Sequence, residues 1–193
     1  MNNKLLNEYF ENSGNVIKSL QKEKKLIDKF AKEIINSISN NKKLLVAGNG
    51  GSSSDADHFV GELVCTYKNT KRKGFPAISI SSNSASITAW ANDFNYETAF
   101  ARQISSLGKK GDILLLLSTS GGNIKNNQSI NLINAAKQAK KMDIKVLSLL
   151  GKGGGELKKI SNHSIVIKSS ATSHIQEAHI AILHYICETM EFI

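Results

Sequence analysis

Residues 44–63 read LLVAGNGGSSSDADHFVGEL: a short apolar run, a loop of glycines and hydroxyls, then a helical pattern carrying His58 and Glu62 four residues apart. An apolar run that ends in such a loop and re-enters a helix reads as a strand–loop–helix unit. The loop can aim backbone N–H groups at an anion where the helix starts, and the i,i+4 spacing sets His58 and Glu62 on one helix face. Oxyanion binding and proton or metal chemistry therefore meet within one short segment.

Outward from this unit, β-compatible runs recur. After Leu44–Ala47 come Ala77–Ile80, Ile113–Leu117, Val146–Leu150 and Ser164–Ile167, and helical patterns at about 52–66, 84–107, 125–142 and 173–191 separate most of them. Strands alternating with helices predict right-handed βαβ units, and so a three-layer α/β sandwich around a five-stranded parallel sheet. Before the sheet, residues 3–39 show two amphipathic helical stretches, carrying Leu5, Leu6, Tyr9 and Phe10 and then Leu26, Phe30, Ile34 and Ile38, with a break expected near Ser13-Gly14. Residues 1–40 are read as a helical packing and oligomerisation segment of one domain spanning 1–193.

Parallel sheets bind ligands at the carboxyl ends of their strands. Three polar loops lie there: Asn49-Gly50-Gly51-Ser52-Ser53-Ser54, Ser81-Ser82-Asn83-Ser84 and Ser118-Thr119-Ser120-Gly121-Gly122-Asn123. Glycine–serine loops are commonly plain turns. Two of them at one sheet edge, each expected to enter a helix, point instead to a phosphate and sugar hydroxyls.

Other glycine motifs are excluded. Gly48-Asn49-Gly50-Gly51-Ser52-Ser53 has serine at the sixth position of a dinucleotide fingerprint, and the Cys65–Lys68 region offers no acidic residue to hold a ribose. No G-x-x-x-x-G-K-[ST] loop occurs. The formal net charge of +9 is spread over lysines such as Lys22, Lys24, Lys25, Lys137, Lys140 and Lys141; the one cluster, KNTKRK at 68–73, lacks the interleaved aromatics of a nucleic-acid surface. It is read as a solvated surface that helps steer an anionic metabolite, with no nucleic-acid partner. No apolar run is long enough to span a bilayer and MNNKLLNEYF has no secretory pattern, so a cytoplasmic location without membrane association is expected. Cys65 and Cys187 have no metal-type spacing and are read as reduced thiols.

With these pieces assembled, the chain resembles the sugar isomerase (SIS) domain family, and within it the phosphoheptose isomerases. The resemblance runs from the N-terminal helices to the last one, and is carried by GNGGSSSDADHFVGEL at 48–63, WANDF at 90–94, GDILLLLSTSGGN at 111–123 and IQEAHIAILH at 175–184. It implies a flavodoxin-like sheet and conversion of sedoheptulose 7-phosphate to D-glycero-D-manno-heptose 7-phosphate, the first step toward nucleotide-activated heptose for lipopolysaccharide or capsule. By that resemblance Ser118, Thr119 and Ser120 hold the phosphate, Asn49, Gly50, Gly51 and Ser52 hold the sugar, and Asn92 and Asp93 face its chain. Glu62 and His184 form the catalytic pair, one zinc ion per site is bound by His58, Glu62, Gln176 and His184, and the assembly is a homotetramer with active sites between subunits. Three positions depart from the family pattern: Thr66 and His174 stand where relatives often carry arginine, and Asn123 replaces the serine that closes the phosphate loop. Lys68, Lys71 or Arg72 are candidates to restore the missing charge.

A 2-ketose becomes an aldose when a base moves a proton between C1 and C2 and an acid serves the two oxygens. A buried carboxylate and an imidazole suit these roles, Glu62 as base and His184 as acid; His163, His174 and His179 are read as structural. Gln176 and His184 are eight residues apart, roughly 12 Å along a helix, which is too far for one ion unless long side chains converge or two subunits contribute one each. The shared site is the expectation. The alternatives are a non-catalytic SIS regulator of the replication-initiator-binding type and an isomerase of another sugar phosphate.

Overall fold

The structure, a computed structural model, describes residues 3–191 and 193. Five parallel strands form one sheet in the order β2-β1-β3-β4-β5: β1 Leu44–Gly48, β2 Ala77–Ser79, β3 Ile113–Ser118, β4 Lys145–Leu150 and β5 His163–Val166. All five expected runs become strands within about a residue of their expected limits. Alternation of side chains divides the core into two layers. Leu44, Val46, Leu115, Leu117, Leu147 and Leu149 face α2 (Lys24–Ser39), α3 (Gly51–Val64) and α8 (Thr172–Met190). Leu45, Ala47, Leu114, Leu116 and Val146 face α5 (Ala99–Leu107), α6 (Ile130–Lys141) and α7 (Gly155–Ile160). The three-layer α/β sandwich is as expected.

The helices hold the differences. The first, α1, runs unbroken over Asn3–Ser19 with Gly14 inside it, and the turn falls at Leu20–Glu23 instead of Ser13-Gly14. No atom lies within 4 Å of a Cβ built on Gly14, so this glycine costs only helix propensity, about 1 kcal/mol. The expected helix at 84–107 is two: Asn95 Oδ1 accepts from the Thr98 N–H at 2.9 Å and its hydroxyl at 2.8 Å, ending α4 (Ser84–Asp93) and starting a new helix. The expected helix at 125–142 begins only at Ile130, because Asn127 and Ser129 adopt left-handed backbone at φ 52° and 54°. The six-residue α7 was not expected.

No described residue of α1 is buried, and Leu6 and Phe10 are more than half exposed. It docks on α8 through polar contacts, Tyr9 and Ser13 each donating to Glu177 at 2.5 Å. Burial raises the Glu177 carboxyl, but the hydrogen bonds from Ser13 and Tyr9, together with the nearby His174, hold the group below its ordinary value. No helix among the described residues is long and apolar enough to cross a membrane.

Candidate active site

The sheet order puts a topological switch point at the carboxyl ends of β1 and β3, where ligands bind in open α/β sheets. The first and third polar loops leave from those ends. In the first, Gly50 takes φ 56°, and Ser52 and Ser53 N–H groups close onto the Asn49 and Gly50 carbonyls; the N–H groups of Gly50 and Gly51 find no backbone acceptor among the described residues. Ser52 is turned inward, 4 % exposed, and packs so closely that a Cβ on Gly48 would lie 2.3 Å from its carbonyl. The open donors of this loop are therefore the Gly50 and Gly51 N–H groups more than the Ser52 side chain.

The third loop does not run directly into a helix as expected. Ser118 and Ser120 hydroxyls accept from Gly121 and Gly122 N–H at 3.1 and 3.3 Å, and the Gly121 and Gly122 carbonyls accept from Leu157 and Glu156 N–H at the start of α7. Gly121, at φ 72°, is pressed against Gly154, where an added Cβ would meet the carbonyl oxygen at 2.1 Å. The N–H groups of Thr119 and Ser120 have no backbone acceptor among the described residues, which leaves them as donors a bound anion could use. Asn123 pairs with Gln128 through two backbone hydrogen bonds and its Oδ1 caps Asn126 N–H at 3.3 Å, which leaves its amide N–H groups as donors.

Helices α3 and α8 run side by side in the same direction. Gln176 lies against Gly51, whose Cβ would fall 2.3 Å from the glutamine Nε2; about two turns further on, His58 Nε2 and His184 Nε2 face each other at 2.9 Å. Glu62 Oε1 is 3.7 Å from His58 Nε2, as the i,i+4 spacing requires. Tyr67 stacks on the His184 ring at 6.1 Å and donates to Glu188 at 3.2 Å, a positioning contact that sequence reading missed. One oxygen of Asp55 is buried without a partner; burial raises this carboxyl above its ordinary value, with His58 pulling the other way.

Two imidazole nitrogens and a carboxylate are a zinc donor set, and nitrogen donors around tetrahedral zinc lie about 3.3 Å apart, close to the spacing of the facing pair. No three His, Cys, Asp or Glu side chains among the described residues close into a full cage within one chain. The His58–His184 spacing suits two nitrogen donors of such an ion, with Glu62 Oε1 3.7 Å from His58 Nε2, while Gln176 lies at the level of Gly51. Asn92 and Asp93 are also apart. Asn92 donates to Asp93 at 2.9 Å on the exposed end of α4, and Asp93 lines a groove with Trp90 and Arg102.

The charge-restoring candidates sort themselves by their contacts. Lys68 pairs with Glu188, while Arg72, almost buried, pairs with Glu191 at 2.8 Å and caps α3 through the Glu62 and Leu63 carbonyls. Of the three, Lys71 alone has no ion pair among the described residues. Cys65 is exposed and Cys187 buried; burial, then the nearby Glu62 charge, pushes the Cys187 thiol up to about 12, so it stays protonated.

Residues 8–151 match the family described as SIS domain. The chain belongs to the SIS domain family. Within it, the chain is 40% identical over 184 residues to the phosphoheptose isomerase of Helicobacter pylori strain P12, covering 95% of this chain and 92% of the relative. It is 35% identical over 191 residues to the phosphoheptose isomerase of Aliarcobacter butzleri strain RM4018, covering 99% and 97%. The solved structure of a phosphoheptose isomerase from Francisella tularensis superposes on this SIS domain with a TM-score of 0.93 at 31% identity, covering both chains completely.

Proposed function

We propose that this SIS domain is a phosphoheptose isomerase that converts sedoheptulose 7-phosphate to D-glycero-D-manno-heptose 7-phosphate. The observation that carries the reading is the facing pair His58 and His184 beside Glu62, in a chain related along its length to phosphoheptose isomerases. A protein-binding relative would need none of that convergence.

Glu62 takes the proton from C1 of the ketose and returns it to C2. His184 Nε2 gives a proton to O2 as the carbonyl becomes a hydroxyl, and accepts the O1 proton as the new carbonyl forms. His58 Nε2, 2.9 Å from His184 Nε2, holds the His184 ring beside Glu62 before substrate arrives. The Ser118–Ser120 loop holds the phosphate through the Thr119 and Ser120 N–H groups, and Gly50 and Gly51 bind sugar oxygens. Zinc held by His58, Glu62 and His184, with Gln176 of a second subunit as a further donor, would polarise the carbonyl and steady the enediol oxygens.

A closed assembly suits this chemistry. In the single chain the His58 side chain is 44% exposed, α4 buries none of its residues, and Leu6 and Phe10 of α1 face outward. A homotetramer would cover these surfaces and exclude water from the reacting carbons. In this role the enzyme works in the cytoplasm and feeds heptose toward lipopolysaccharide or capsule.

The test follows aldose formation from sedoheptulose 7-phosphate by wild type, Glu62→Gln and His184→Gln, with and without chelator. Each substitution should lower kcat by about 10²–10⁴, the usual contribution of a general acid or base. Activity surviving both would remove this mechanism, and a metal-replete wild type without activity would favour the regulator.

A further inference from the structure

Asn49, expected to bind sugar, has its side chain engaged elsewhere. Its Nδ2 donates to Asn131 Oδ1 at 2.9 Å and its Oδ1 accepts from Asn131 Nδ2 at 2.7 Å, a reciprocal amide pair. Asn131, 2 % exposed on the first turn of α6, also accepts from Leu132 N–H at 3.0 Å. The Tyr96 hydroxyl donates to Asn49 Oδ1 at 3.0 Å, and Asn134 Nδ2 donates to the Glu97 carbonyl at 3.0 Å. Both lone pairs of the Asn49 amide oxygen are therefore used, and one N–H remains to it.

We propose that Asn131 and Tyr96 are positioning residues for this site: Asn131 locks the glycine loop from beneath, and Tyr96 ties that loop to the α4–α5 segment carrying Asn92 and Asp93. The inference rests on the isomerase reading for its substrate. Two consecutive glycines give the loop wide conformational freedom, which would be lost again on every binding event. A two-point amide bond to a buried helix residue fixes the Asn49 rotamer and, through it, the adjoining Gly50 and Gly51 N–H groups in one direction. The Tyr96 bond transmits that order to the turn at 96–98, which Trp90 braces through its Nε1 donation to Thr98 Oγ1 at 2.9 Å.

The test uses full-length Tyr96→Phe, Asn131→Ala and Asn131→Asp. Aspartate keeps the acceptor for Asn49 and Leu132 and loses the donor. Amide hydrogen exchange over residues 49–54, Tm, and kcat and KM for sedoheptulose 7-phosphate are measured. Tyr96 is about half exposed, so Tyr96→Phe should leave Tm unchanged while raising KM about three- to tenfold, the net worth of one hydrogen bond, and speeding loop exchange by a similar factor. Asn131→Ala should raise KM further, Asn131→Asp should fall between it and wild type, and Tyr96→Phe added to Asn131→Ala should change KM no more. Unchanged loop exchange in Tyr96→Phe would overturn the proposal, as would a fall in Tm with kcat and KM unaltered. A wild type inactive on this substrate would refute the isomerase reading alone; faster loop exchange in Tyr96→Phe would then still uphold the latch and unchanged exchange sink it.

Discussion

Gly51→Ala is the sharpest probe of the α3–α8 geometry. The new methyl carbon would lie 2.3 Å from Gln176 Nε2, the far end of a flexible side chain, and contacts closer than about 3.4 Å are rare in proteins. Gln176 must therefore retreat by about 1 Å, and for the donor it is proposed to be in a shared site a misplacement of that size costs on the order of 10² in rate. Folding should not suffer, because alanine in the first turn is a better helix former than glycine by up to about 1 kcal/mol. The expected result is a roughly hundredfold fall in kcat/KM for sedoheptulose 7-phosphate, about 2.7 kcal/mol of transition-state stabilisation, with Tm level or raised. A cycle with Gln176→Ala separates the causes: once the glutamine is gone, adding Gly51→Ala should cost less than about 0.5 kcal/mol. Full activity in Gly51→Ala, or an undiminished loss in the Gln176→Ala background, would refute the contact as the link between the helices.

Two further outcomes concern stability. His179 is fully buried; burial lowers it from the ordinary 6.5 to about 4, with the Leu150 carbonyl pulling the other way by less. The unfolded chain therefore binds the extra proton first as pH falls, so the native state keeps its full stability above pH 6.5 and loses about 3 kcal/mol on the way down to pH 4; urea midpoints of wild type and His179→Leu should diverge across that window, and parallel curves would disprove the assignment. Gly121→Ala sets a methyl 2.1 Å from a backbone oxygen at φ 72° and should cost several kcal/mol, whereas Gly14→Ala, with open space around it, should gain up to about 1 kcal/mol; equal denaturation midpoints for the two variants would contradict the packing described for the Ser118–Asn123 loop.

What the sequence made legible follows from range. An apolar run such as Ile113–Leu117, buried on both faces, announces a central parallel strand by itself, and the spacing of His58 and Glu62 fixes their shared helix face without any tertiary knowledge. The break at Asn95 was written locally, in an asparagine three residues before Thr98, but the apolar pattern running through it masked the cap. Asn131 left a weaker signal, a polar residue at a buried position of the INLINAA helix, and only packing reveals that its partner is Asn49. The register of α8 against α3 has no local signature at all. The four residues grouped by resemblance as one metal set therefore divide in the structure. Gln176 is level with Gly51 and His184 with His58, and because both helices advance about 1.5 Å per residue in the same direction, the two pairs lie about two turns apart. On the proposed function, a four-donor zinc site would draw Gln176 from a second copy of the chain, and charge substitutions at the outward-facing Leu6 and Phe10 that disrupt such an assembly should retain the fold while losing both tight zinc binding and turnover. A monomer that bound zinc as tightly as the assembly would show that three donors from one chain suffice.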